Sequence, residues 1–182
     1  RVLQAFAVDD VHAAVDDVAD RHVGDVDALG GRGRQVAAAL QLADAGDHVV
    51  EEIGGTPVLL LRGADGVLRA FVNVCRHRAG PLALCSGKGL AALRCRYHGW
   101  LYDQEGRLIA APEMQGARDF DPGAERLPRL RVAEWQGLVF VAVDAAAPQF
   151  ASVYDGIAER IAPIDLAALR FAHHAHDLLQ RG

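Results

Sequence analysis

Two short motifs, Cys75-Arg76-His77 and Cys95-Arg96-Tyr97-His98, stand 17 residues apart, and any fold that carries them must satisfy both at once. Each lies where an apolar run gives way to glycine and turn residues, so each belongs to a loop that follows a strand. Closely spaced side chains in such loops can converge on one metal centre. Thiolate sulfur is soft and suits iron–sulfur clusters or zinc, while imidazole accepts either. Two Cys and two His in matched loops are thus a complete ligand set, for a cluster or for a tetrahedral zinc ion. The competing reading is two core cysteines beside two polar loop histidines. It requires the same pairing to arise twice by accident, each time near a glycine, Gly80 and Gly99.

The surrounding pattern is that of a mainly β protein. Residues 48–53, 57–62 and 67–74 are rich in Val, Leu and Ile, and Gly54-Gly55 and Ala64-Asp65-Gly66 divide them as turns. Residues 90–94, 101–102, 107–110, 130–135 and 137–143 continue the series, with Gln104-Glu105-Gly106 as a hairpin turn. The spacing predicts a small antiparallel β-sandwich or barrel. Phe150, Val153, Ile157 and Ile161 then recur at helical spacing until Pro163, so residues 149–161 read as one C-terminal helix. Residues 34–44 read as helical on their Ala, Leu and Gln content, with a strand near 35–39 as the alternative. The first 34 residues carry few large apolar groups and form an atypical segment.

Composition narrows the function classes. Hydrophobic residues are 51% of the 182 and charged residues 24%, which supports a packed core. A net charge of −5, with no basic stripe, argues against nucleic acid as partner. No stretch reaches the roughly 18 apolar residues of a membrane helix, and no secretory leader opens the chain. The expectation is a cytoplasmic protein without a membrane partner. Three cysteines are too few for a disulfide framework, and Cys85 reads as a plain core or loop thiol.

The segments Cys75-Arg76-His77-Arg78-Ala79-Gly80-Pro81-Leu82 and Cys95-Arg96-Tyr97-His98-Gly99-Trp100-Leu101-Tyr102 closely resemble the two cluster-binding loops of the Rieske iron–sulfur family. The resemblance implies a [2Fe-2S] cluster, with Cys75 and Cys95 on its inner iron and His77 and His98 on its outer one. It also implies that Trp100 shields the cluster and that Tyr102 donates a hydrogen bond to its sulfur, which raises the potential. Respiratory-complex members brace these loops with a disulfide, and this chain has Gly80 and Tyr97 at those positions.

Ala111-Pro112-Glu113-Met114, Phe120-Asp121 and residues 45–48, 54–59 and 130–141 resemble a narrower branch, the N-terminal domain of ring-hydroxylating oxygenase α subunits. The likeness covers about residues 35–170. It implies a Rieske-type β-sandwich over 35–147, a helical linker and tail over 148–182, and electron transfer within an aromatic-ring-hydroxylating (di)oxygenase. A reductase or ferredoxin would supply the electrons, and a full-length relative would add mononuclear Fe(II) in a further domain and could form a homo-oligomer. The alternative is a free-standing Rieske-type ferredoxin, against which the helix after the last strand counts. A zinc-stabilised binding module is a third reading.

The branch departs from its pattern at both ends. His173, His174 and His176 stand at i, i+1 and i+3, which does not put all three on one helix face, and we expect no iron there. The chain begins at Arg1 rather than Met, and the expectation is a fragment that stops before the mononuclear iron domain. A Trp is usual just before the first strand, where Arg34 stands. Of nineteen Lys and Arg residues only Lys88 is lysine, and residues 7–52 use only nine amino-acid types, all with codons that can begin with G or C. Part of residues 1–34, and of 173–182, therefore reads as translated out of frame. Sequencing the encoding DNA tests this: an alternative frame is expected to restore the missing Trp or the catalytic motifs, and its failure to do so refutes the idea.

Overall fold

The computed structural model describes residues 34–161 apart from Gln115 and Asp155. Its strands are β1 (Arg34–Ala38), β2 (His48–Ile53), β3 (Thr56–Arg62), β4 (Leu68–Val72), β5 (Leu93–Arg94), β6 (Leu101–Tyr102), β7 (Leu108–Ala110), β8 (Arg129–Trp135) and β9 (Leu138–Ala142). Six of them form one antiparallel sheet in the order β1-β9-β8-β4-β3-β2, and β5, β6 and β7 form a second in that order. The mainly β, antiparallel architecture expected from the sequence is the one observed.

Strand β3 explains why there are two cores. Its run Val58-Leu59-Leu60-Leu61 is apolar without alternation, the pattern of a strand covered on both faces. Leu59 and Leu61 enter a core with Phe71, Leu93, Tyr102, Leu108 and Leu127, which joins the large sheet to the small one. Val58 and Leu60 enter the other with Leu42, Val49, Ile53, Ala70, Val139 and Val141, inside the curl of the large sheet. All four β3 side chains are fully buried, and each contributes about 1.5–3 kcal/mol of transfer free energy.

Two local expectations change. Residues 34–44 take the alternative reading, a strand, in place of the α-helix: β1 pairs with β9, Gln35 opposite Phe140 and Ala38 opposite Leu138, and a single 3-10 turn follows at Ala39–Leu42. Ladder hydrogen bonds along β9 outweigh helix propensities worth a few tenths of a kcal/mol per residue. The C-terminal helix is two short ones, α1 (Phe150–Tyr154) and α2 (Ile157–Ile161), because the backbone turns left-handed at Gly156, φ 71°. Helix α1 is fastened by aromatic contacts: Phe140 to Phe150 at 4.9 Å and to Tyr154 at 5.0 Å, and Trp135 to Tyr154 at 5.6 Å. The atypical segment, His173, His174 and His176, and with them the reading-frame expectation, lie outside the described residues. No helix among the described residues is long and apolar enough to cross a membrane.

The segment between the two motifs is tied to the start of β2. His48 and Gly87 exchange two backbone hydrogen bonds of 2.9 Å, Leu90 N–H donates to the Gly46 carbonyl, and Val50 N–H donates to Ser86 Oγ. Lys88 Nζ meets the buried Asp47 carboxylate at 3.0 Å. The Asp44 amide donates to the same carboxylate at 3.0 Å. That amide hydrogen bond, with Lys88 adding to it against the cost of burial, holds the Asp47 carboxyl below its ordinary value. A depressed carboxylate pKa contributes stability that is complete above the unfolded value of about 3.9 and is lost as pH falls through the folded value. We expect the urea midpoint to fall on acidification from neutral pH towards about pH 3, and Asp47→Asn to flatten that limb. An equally steep limb in Asp47→Asn would mean that other carboxylates control it.

Candidate metal centre

The two motif loops follow β4 and β5 and are built alike. In the first, the Ala79 amide donates to the Cys75 carbonyl at 3.0 Å and the Cys75 amide to the Gly80 carbonyl at 2.8 Å. In the second, Gly99 N–H donates to the Cys95 carbonyl at 3.0 Å and Cys95 N–H to the Trp100 carbonyl at 2.9 Å. Both therefore close on hydrogen bonds from residue i+4 and to residue i+5. In both, residue i+4 is left-handed, Ala79 at φ 52° and Gly99 at φ 74°. Only glycine reaches that region without a steric cost, so the first loop carries strain that the second avoids.

This shared geometry brings the four motif side chains together. The Cys75 and Cys95 thiols are buried in the core that joins the sheets, while His77 and His98 are half-buried with ring centroids 4.6 Å apart. The loops touch at Gly80, where a Cβ would come to 3.1 Å from the Cys95 sulfur. Trp100 is buried and stacks on His77, centroids 4.8 Å apart and planes 7° apart. Phe120 packs against Trp100, ring centroids 5.4 Å apart and planes tilted by 41°. Tyr97 is exposed, its ring against His98 at 4.1 Å. Tyr102 on β6 is fully buried, with its hydroxyl 3.4 Å from the Cys75 sulfur and accepting the Arg76 amide at 3.1 Å. Cys85 is exposed.

The electrostatics fit donors that wait for a cation. Burial, then the nearby Cys95, pushes the Cys75 thiol up, so by itself it keeps its proton and yields it only to a group that brings positive charge. Burial first, then His98 and Arg78, holds His77 down, in the neutral form that can donate a lone pair. Burial above all, with Cys75 and Glu125 adding to it, holds the Tyr102 hydroxyl well above its ordinary value, so it stays a donor. His77 Nδ1 and His98 Nδ1 are both buried without a hydrogen-bond partner. A buried orphan of this kind costs about 1–3 kcal/mol. Two in facing rings beside two buried thiols are what a bound metal group would satisfy.

Sequence reasoning gave no role at this site to three residues. Asn73 is buried; its amide nitrogen donates to the Ala83 carbonyl at 2.7 Å, and its oxygen accepts from Leu82 and Ala83 N–H at 3.1 Å. It fixes the chain leaving the first loop, and its signal was available: one amide inside the apolar run Phe71-Val72-Asn73-Val74. Phe120 backs Trp100, and Glu125 lies 3.5 Å from Arg76. Glu125 is distant in sequence and no local pattern marks it, while Phe120 stands out only as part of the Phe120-Asp121 segment that resembles the oxygenase branch.

A family model described as the Rieske [2Fe-2S] domain matches residues 34–130. The carnitine monooxygenase oxygenase subunit of Escherichia coli is 36% identical over 126 residues, 69% of this chain and 34% of that protein. The anthranilate 1,2-dioxygenase large subunit of Burkholderia cepacia is 38% identical over 112 residues, 58% of this chain and 26% of that protein. A crystal structure of a quaternary ammonium Rieske monooxygenase with L-carnitine superposes with a TM-score of 0.70 at 32% identity, covering 76% of this chain and 40% of that one. The chain thus spans about a third of the length of the curated relatives it matches.

The left-handed strain gives a paired expectation. Ala79→Gly is expected to raise unfolding stability by about 1 kcal/mol, and Gly99→Ala, whose Cβ meets nothing closer than Pro112 at 3.6 Å, to lower it by about 1 kcal/mol. Denaturant unfolding of both variants measures this, and equal signs would refute the common loop geometry.

Proposed function

The chain belongs to the Rieske [2Fe-2S] domain family, and we propose that Cys75, His77, Cys95 and His98 hold its cluster so that residues 35–147 can pass electrons within an oxygenase α subunit. The observation that carries this reading is the pair of partnerless Nδ1 atoms, in rings 4.6 Å apart, over two buried thiols. Two protein donors per iron, one thiol pair and one imidazole pair, match the ligand set of a two-iron Rieske group.

When bound, the cluster takes up and returns one electron, at about −150 to +300 mV in Rieske centres. The chain's own residues prepare it. Cys75 and Cys95 give two sulfur donors from the dry side, and His77 and His98 two nitrogen donors from the half-exposed side. Trp100 and Phe120 keep water from the His77 face. The Tyr102 oxygen accepts from the Arg76 amide, which leaves its proton to point at the Cys75 sulfur.

Rieske oxygenase relatives at full length also use mononuclear iron, and oxygen chemistry on this reading belongs to a further domain. The aromatic clamp on α1 favours an oxygenase domain over a free-standing ferredoxin, since a bare carrier has no need of a segment packed beyond its last strand. Similar domains serve enzymes named for carnitine and for anthranilate, so substrate choice resides outside this one. A reductase or ferredoxin as donor, a cytoplasmic setting and homo-oligomerisation complete the proposal.

Anaerobic reconstitution with iron and sulfide tests it. The chain should take up two irons, absorb in the visible and give an EPR signal when reduced. Cys75→Ser and Cys95→Ser should lose colour and iron, whereas Cys85→Ser should keep both. Tyr102→Phe should assemble yet drop in potential by roughly 40 mV, the one-electron equivalent of a hydrogen bond worth about 1 kcal/mol more to the reduced state. A folded but colourless Cys85→Ser would refute the ligand assignment.

A further inference from the structure

We propose that Arg76 and Glu125 form an internal charge couple that sets the cluster's reduction potential, Arg76 raising it from within the first loop and Glu125 offsetting and aiming that charge. The inference rests on the ligand assignment above. Arg76 stands between Cys75 and His77, yet its side chain turns inward: 11% is exposed, against 18% for Glu125, and Nε lies 3.5 Å from Oε2. Among the described ion pairs it alone has a member inside either motif.

Glu125 reaches this place from 49 residues away because its backbone is held to the small sheet. The Leu108 amide donates to the Glu125 carbonyl at 3.1 Å, and two residues on the amide of buried Leu127 donates to the Gly106 carbonyl at 2.8 Å. Arg107 and Arg126 form a β-bridge beside them. The carboxylate is thus delivered by a fixed strip of chain.

The main chain and side chain of Arg76 act separately. Its amide donates to the Tyr102 hydroxyl, 3.4 Å from the Cys75 sulfur, and substituting the Arg76 side chain leaves that donor in place. Its guanidinium contributes charge. An exposed pair would matter little, since water and salt screen it, but a mostly buried charge beside a buried site acts through a lower effective dielectric. The reduced cluster carries one negative charge more than the oxidised one. A cation here therefore favours reduction, and an anion opposes it.

Mediated redox titration of the reconstituted chain, followed in the visible, tests the couple by sign. Glu125→Gln is expected to raise the potential, Arg76→Gln to lower it, and R76Q/E125Q to fall between them. Arg76→Lys keeps the charge and should stay closest to the wild type. A purely structural tie would move both single variants the same way or neither. Shifts of like sign, or none, with iron content as in the wild type would overturn the couple. If Arg76→Gln fails to assemble, Glu125→Gln decides alone: a potential at or below the wild-type value overturns it. A wild-type chain that takes up no cluster would instead sink the ligand assignment.

Discussion

Four donor atoms held in and beside an apolar core, two of them with no partner in the chain, are the constraint on which the rest of this structure depends. Burial disfavours both thiolate and imidazolium, so the chain prepares a neutral, dry pocket edge where the two imidazole Nδ1 atoms have nothing to bond. A protein tolerates that only where a ligand brings charge to the same place. The repeated loop closure supplies the geometry, and its left-handed fourth residue after each Cys lets the chain turn back within five residues.

The remainder of the fold supports those two loops from below. Strand β3, covered on both faces, lets one sheet serve two cores. One of these seals the curled sheet, and the other carries both cysteines. Asn73 and the hydrogen bonds with Gly46 and His48 tie down the chain between the loops. The span of 17 residues between motifs therefore behaves as a fixed spacer and not as a loose loop.

Around that frame, charge and aromatic groups are layered. Trp100 covers the His77 ring with Phe120 packed against the indole, Tyr102 stands under one sulfur, and Arg76 with Glu125 lies beside it. In a low-dielectric setting each such group acts on a bound charge far more strongly than it would at the surface. Relatives named for chemically different substrates share this domain, which fits a part specialised for the electron alone.

What the sequence determined by itself is local: the two Cys/His motifs, most strands from 48 to 142, the hairpin at Gln104-Glu105-Gly106, and the family likeness carried by contiguous loops. These were legible because ligand chemistry, strand periodicity and turn residues act over a few positions. It favoured a helix over 34–44 and held the strand near 35–39 only as the alternative, because the pairing with β9 that decides it lies a hundred residues on, and it read one helix where Gly156 makes two. Only the tertiary structure placed Asn73 against Leu82 and Ala83, Phe120 on Trp100, and Glu125 beside Arg76. Those contacts follow from how two sheets pack, and packing joins residues whose separation along the chain leaves no pattern to read.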